Sequence, residues 1–140
     1  MEIVASRTAP YAALLLRVSL GLLFLIHAGM KFFVFTPAGT EHFFASLGLP
    51  GWFGLVVIAA ETLGGIALIL GIYARWVALL LVPDLIGAIV LVHAKNGFVF
   101  TAKGGGYEYP LFWAVALVVL ALSGDGAFAL LSSTGRRAPG

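Results

Sequence analysis

The chain has 140 residues, 61% of them hydrophobic and only 10% charged, and it contains no cysteine. A soluble domain is normally about half apolar and about a quarter charged, so this composition excludes a chain hydrated all round and places it with membrane proteins. Disulfides, Cys-zinc sites, iron–sulfur clusters and thiol nucleophiles are excluded, and eight basic residues at a net charge of +2 form no stripe that fits nucleic acid.

A membrane-crossing helix needs about 20 largely apolar residues. The first predicted span runs from about Tyr11 to Phe35, with Arg17, His27 and Lys31 inside it. Arg17 lies within the apolar stretch rather than ahead of it, so the segment is expected to stay as a span rather than be cleaved. Thr36 to Trp52 is expected to be an outer loop, with His42 solvated. The second span, about Phe53 to Tyr73, holds Glu61. A very short turn near Ala74 makes the third span, Trp76 to His93, its antiparallel neighbour; Pro83-Asp84 interrupts that span.

A long outer segment, Ala94 to Glu108, precedes the fourth span, Tyr109 to Ser123, where Pro110 suits a first helical turn. After Gly124-Asp125-Gly126, the stretch Ala127 to Leu131 is too short to span and is expected as an interfacial turn of helix. The expectation is one all-α domain over 1–140, a four-helix transmembrane bundle. Four spans put both termini on one side, with Arg7, Arg75, Arg136 and Arg137; Lys95 and Lys103 lie on the other. The positive-inside rule then makes both termini cytoplasmic.

Ionisable side chains inside a span are costly unless they face protein or water. Arg17, His27, Lys31, Glu61 and Asp84 are many for so small a chain. At the helical rise, His27 and Glu61 each fall about 12 Å below the outer end of their spans, and Lys31 is one turn from His27 on the same face. His27 is thereby expected to pair with Glu61 in the outer half. Arg17 and Asp84 are candidates for a lower pair, unless Arg17 snorkels to the interface. Arg17, Gly21, Phe24, Ala28 and Lys31 follow spacings of three and four and form one face whose small residues allow close packing. Gly64, Gly65, Gly71 and Gly87 are further candidate points of close approach.

Two accounts of these charges stand side by side. In one they are salt bridges that fix helix register. In the other, His27, Lys31 and Glu61 form a polar pocket that opens outward, with apolar walls from Phe24, Phe32 and Phe33, able to exchange protons at membrane depth. The outer loop admits two readings as well. Gly104-Gly105-Gly106-Tyr107-Glu108 is either a tight re-entry turn or a lid that carries Tyr107 and Glu108 over the pocket. No Lys-Ser/Thr follows the glycines, so they are no phosphate loop. His27 and His93 differ in depth by about 12 Å on the span limits, which does not suit bis-histidine haem. Val92-His93-Ala94 echoes Ile26-His27-Ala28, a hint of hairpin duplication.

Several motifs have a familiar order: Gly-Leu-Leu-Phe-Leu-Ile-His-Ala-Gly-Met-Lys-Phe-Phe (Gly21 to Phe33), Leu-Gly-Leu-Pro (Leu47 to Pro50), Glu61-Thr62-Leu63-Gly64-Gly65 and Leu70-Gly71-Ile72-Tyr73-Ala74-Arg75. Asn96-Gly97-Phe98 and Gly105-Gly106-Tyr107-Glu108-Tyr109-Pro110 follow. Over about Leu14 to Gly126 the chain resembles the DoxX family of small bacterial four-span membrane proteins. The resemblance implies a helical bundle in the bacterial cytoplasmic membrane. It also implies kinship with components of membrane oxidoreductase complexes, such as the membrane subunit of thiosulfate:quinone oxidoreductase. A quinone site built on His27, Lys31, Glu61 and Tyr107 is the leading expectation, with Glu108, Asp84 and Arg17 as further polar groups. No flavin, haem or metal is expected. Electrons would come from a partner or a reduced substrate, and a protein partner or a second copy is expected. A scaffold that recruits soluble oxidoreductases and a small-solute or proton transporter are the alternatives.

Overall fold

Inside a bilayer the backbone has no water to bond, so long apolar runs close their hydrogen bonds within a helix. In the computed structural model, which describes residues 2–135 (side chains from Arg7), these runs form five α-helices. They are α1 (Glu2–Gly29), α2 (Pro37–Ser46), α3 (Trp52–Leu70), α4 (Ala74–Ala88) and α5 (Glu108–Ser123). The described residues form no strand beyond one isolated bridge. Arg7–Val34, Trp52–Leu70 and Ala74–Asn96 are each long and apolar enough to cross a membrane; α5, with 16 residues, is shorter. Arg136 and Arg137, counted above toward orientation, lie outside the described residues.

The helices depart from the predicted spans in four places. α1 begins at Glu2 rather than Tyr11, because its hydrogen bonds continue past the apolar run that the span was read from. α4 runs through Pro83 without a break and continues as a π-helical turn, Ile89–His93. A proline in a span is tolerated where neighbouring helices and local π adjustments reabsorb the freed carbonyl. A second π turn, Met30–Val34, extends α1 at the same end of the bundle. The segment Thr36 to Trp52 is not a plain loop. Thr36 caps α2 by accepting from the Gly39 amide, and Pro37 occupies the first turn, so exposed His42 sits on a helix.

The fourth departure is the C-terminal segment. Ala127 to Leu131 forms no helix; Leu131 makes a parallel bridge with Ile72 instead. Gly71, at φ 70°, ends α3 in the left-handed region, and the carbonyls left over at that end need donors. The Leu130 amide donates to Leu70 O, the Leu131 amide to Gly71 O, and the Tyr73 amide returns a bond to Leu131 O. These bonds compete with a helical turn and win.

α1 packs chiefly on α3, and α4 on α5. At the α1–α3 crossing the bare backbones touch: a Cβ on Gly21 would lie 2.7 Å from Gly65 O, and one on Gly65 would lie 2.9 Å from Gly21 O. Gly64 gives Leu81 of α4 the same access. Gly87 meets nothing within 4 Å, so it is not the close approach expected of it. Phe24, Leu68, Trp113, Leu117 and Leu120 fill the centre. The outward faces remain apolar, as a lipid-facing surface requires.

Candidate functional site

The ionisable residues of the interior gather at two ends of the bundle, in a pairing that differs from the one expected. Arg17 is 1% exposed and does not meet Asp84. Its guanidinium donates to four carbonyls: Asp125 O at 2.9 Å, Ala127 O at 2.6 Å, Ile69 O at 3.2 Å and Leu68 O at 3.4 Å. Neither snorkelling nor a salt bridge describes it. The planar fork of five N–H groups suits several acceptors at once, and the C-terminal end of α3 presents free carbonyls and partial negative charge. Arg17 therefore ties α1 to the end of α3 and to the returning chain.

Beside it, Asp125 accepts from the Ser133 amide at 2.8 Å and from the hydroxyls of Ser133 and Ser132. Partial burial alone would raise its carboxyl, but these bonds from Ser133 and Ser132, with a backbone bond from Arg75, hold it below the usual carboxylate range. This end is built of structural bonds.

The other end holds a charge cluster. Lys31, in the π turn after α1, donates to both oxygens of Glu61 in the middle of α3, at 3.0 and 2.9 Å. Glu61 is 4% exposed. Lys31 thus takes the place expected of His27. The Asp84 carboxyl, from α4, lies within electrostatic reach of Glu61, Lys31 and His27. Asp84 belongs to this cluster and not to a pair with Arg17, because α4 starts at the opposite end of the bundle and brings its middle to the level of Glu61. His27 brings Nδ1 within 2.9 Å of Leu23 O. A carbonyl only accepts, so Nδ1 carries a proton and Nε2 is the nitrogen left for other contacts. The His27 ring stands edge-on to Trp113 at 4.8 Å, and Phe24 packs on the same indole at 4.7 Å.

Next to the cluster lies a cavity of about 410 Å³ between α1, its π turn and α2. His27 and Lys31 supply its charge-bearing wall; Met30, Phe35, Phe43 and Phe44 supply most of the rest. Thr40, buried, closes the floor and donates to the Lys31 carbonyl at 3.0 Å. The apolar walls are thus not the expected ones. Phe24 is core, while Phe32 and Phe33 face outward and meet edge to face at 5.0 Å. The residues of α2 escaped the sequence reading, although Thr36-Pro37 is a helix-start signal that marks them.

Tyr107 and Glu108 do not line this cavity. Tyr107 meets Phe98 edge to face at 5.3 Å, and Glu108 accepts from the Phe100 amide at 3.3 Å. The Asn96 side-chain amide holds the Gly104 and Gly105 carbonyls, and the His93 ring spans Gly105 O and the Tyr109 hydroxyl. The glycine loop is a pinned re-entry turn rather than a lid.

A helical membrane protein with a Lys–Glu ion pair, its glutamate buried, beside a small apolar cavity is the class this architecture defines. The chain belongs to the DoxX family, whose model matches residues 12–94. It is 37% identical over 117 residues to a Bacillus subtilis (strain 168) protein named "Putative oxidoreductase CatD", covering 84% of this chain and 82% of that one. It is 31% identical over 122 residues to a Haemophilus influenzae protein named only "Uncharacterized protein", covering 86% of this chain and 89% of that one. No solved structure matches it.

Proposed function

We propose that the protein is the membrane subunit of an oxidoreductase complex and that the cavity between α1 and α2 receives the headgroup of a quinone. The observation that carries this reading is the cavity, about 410 Å³ with aromatic walls and with His27 and Lys31 as its ionisable groups. Small-molecule sites are typically about 300–1,000 Å³, largely apolar, with a few placed polar groups. A quinone ring has apolar faces, which suit Phe43 and Phe44, and carbonyl edges, which suit an ammonium donor on Lys31 or a protonated His27. An isoprenoid tail would leave over Met30 and Phe35, both exposed to the surroundings of the bundle.

Interconversion of quinone and quinol moves two electrons and two protons. His27 and Lys31 are positioned to exchange protons at the cavity wall, with Glu61 behind Lys31. Electrons would be supplied by a partner subunit or by a reduced small-molecule substrate, so a protein partner or a second copy completes the assembly. The chain would sit as a multi-pass protein in the bacterial cytoplasmic membrane with α5 as its fourth span. Both termini would be cytoplasmic, with Arg7 and Arg75 inside and the cavity in the outer half.

Fluorescence titration with ubiquinone and menaquinone analogues tests this reading in mild detergent, since Trp113 touches His27. Saturable quenching is expected, weakened at least tenfold, about 1.4 kcal/mol, by His27→Ala and by Lys31→Met. Absence of saturable binding to the folded wild-type protein would overturn it and leave the scaffold role.

A further inference from the structure

Two arginines lie at the end of the bundle away from the cavity, and their side chains end in different surroundings. Arg17 donates to four carbonyls. Arg75 finds no such acceptors: its Nε is buried with no hydrogen-bond partner, and its guanidinium joins no ion pair among the described residues. A snorkelling arginine keeps its charged head in water, and one that completes a helix end bonds the last carbonyls, as Arg17 does. Arg75 does neither at Nε. The carboxylate oxygens of Asp125, the acid that follows α5, accept from Ser132 and Ser133 rather than from this guanidinium. The backbone around Arg75 is fixed: its amide donates to Ser133 Oγ and the Trp76 indole to Ser133 O, each at 3.3 Å.

Arg75 stands at the head of a groove of about 260 Å³ between α4 and α5. Trp76 and Leu79 continue its wall on α4, and Val118, Ala121 and Leu122 form the wall on α5. Arg75 is the only charged residue among them. It is the second residue of the candidate span Ala74–Asn96, beside exposed Tyr73 and Trp76, aromatics that favour the headgroup level of a bilayer. Leu79 lies one turn, about 6 Å, deeper, and Val118 lies one turn deeper than Leu122. The groove therefore descends from the headgroup level into the hydrocarbon, cationic at the top and apolar below, and Leu79 and Leu122 are exposed along it.

We propose that this groove binds an anionic phospholipid, with the phosphodiester on the Arg75 guanidinium and an acyl chain along Leu79, Val118 and Leu122. A guanidinium fork donates through Nε and one Nη to two oxygens of a single phosphate, which gives the buried Nε its acceptor. Basic sites between membrane helices recognise anionic headgroups in this way. The apolar walls select a lipid over a free phosphate ion, which would leave them uncovered. No carboxylate lines the groove, so the cationic end of a zwitterionic headgroup meets no counterion there. The site lies at the opposite end of the bundle from His27 and Lys31 and stands independently of the quinone reading.

Thermal unfolding of the full chain in mild detergent, with native mass spectrometry of the same samples, tests it. The probes are dioleoyl phosphatidylglycerol, dioleoyl phosphatidylcholine and inorganic phosphate. The wild type is expected to retain phosphatidylglycerol about tenfold more tightly than phosphatidylcholine, and to gain melting temperature with the former. Arg75→Gln is expected to melt like the wild type without lipid, since the guanidinium bonds no described residue, and to lose the preference. Val118→Phe, which fills the groove and keeps the charge, is expected to lose it too. Equal retention of the two lipids by the wild type overturns the proposal even if neither variant folds. So does a preference that survives either substitution, or a stabilisation that inorganic phosphate reproduces. A dimer that forms without lipid and separates in Val118→Phe assigns the groove to a second copy and overturns it as well.

Discussion

Lys31 and Glu61, thirty residues apart on neighbouring helices, are joined by two hydrogen bonds of 3.0 and 2.9 Å between one ammonium and both oxygens of a carboxylate. Lys31 lies in the π turn that follows α1 and lines the cavity, and a second carboxyl, Asp84, is within electrostatic reach of the pair. The pair is the hinge between structure and proposed chemistry, and it has consequences for stability of its own.

Breaking this pair on one side leaves a charge without its hydrogen-bonded counterion. Glu61→Gln and Lys31→Met are each expected to destabilise the folded protein, by about 3 kcal/mol for a well-buried pair and by less here because the Lys31 side chain is 22% exposed. The double variant is expected to be less destabilised than the sum of the two. Thermal unfolding in detergent measures all three; strict additivity would show that the pair is not coupled.

Arg17 serves the opposite end. Arg17→Met removes a donor set shared by four carbonyls on two segments. The expected cost is about 3 kcal/mol or more, since each bond from a charged donor is worth roughly 1.5–3 kcal/mol. Arg17→Lys should recover only part of it, because an ammonium lacks the fork. Limited proteolysis should then cut between Gly124 and Ser133 in the variant while sparing the wild type.

Much of this architecture is legible in the sequence, for identifiable reasons. The spans, their order and the Arg17–Lys31 face follow from apolar length and from spacings of three and four, which a helix imposes directly. The partners across helices do not follow. Depth arithmetic puts His27, Lys31 and Glu61 in one band but cannot choose between two cations one turn apart, and the π turn after Gly29 changes the direction in which Lys31 points. Counting Asp84 by helical rise from the inner end of its span groups it with Arg17 rather than with Glu61. Arg17, for which the sequence offers Asp84 or the interface, satisfies carbonyls that a linear reading leaves invisible. The lid expected of Tyr107 and Glu108 fails because Asn96 and His93, eight to twelve residues back, pin the glycines.

The glycine contacts predict opposite outcomes for the same substitution. Gly65→Ala places a methyl against Gly21 O and Leu25 and should cost about 1–3 kcal/mol. Gly87→Ala, with open space around it and a helical backbone, should be neutral or stabilising by up to about 1 kcal/mol. Melting temperatures of the two variants, measured side by side, check the helix crossing.

Acid should loosen the C-terminal segment first. The Asp125 carboxyl is held below its unfolded value, so the stability it contributes is fully present above that unfolded value, roughly pH 4. It is lost as pH falls through the lower folded value. Asp125→Asn should remove this part of the acid sensitivity and lower stability at neutral pH. Unfolding followed between pH 7 and about pH 3 should show a shallower decline in the variant; parallel curves would contradict the role given to Ser132 and Ser133.

The most direct measurement of the central claim is photolabelling with a quinone analogue that carries its reactive group on the ring, followed by peptide mapping. The cavity predicts labels confined to Met30, Phe35, Phe43 and Phe44, reduced by competing quinone and by Lys31→Met. Labels at the smaller groove of about 260 Å³ between Arg75, Leu79 and Val118, or labels that competing quinone does not reduce, would contradict it.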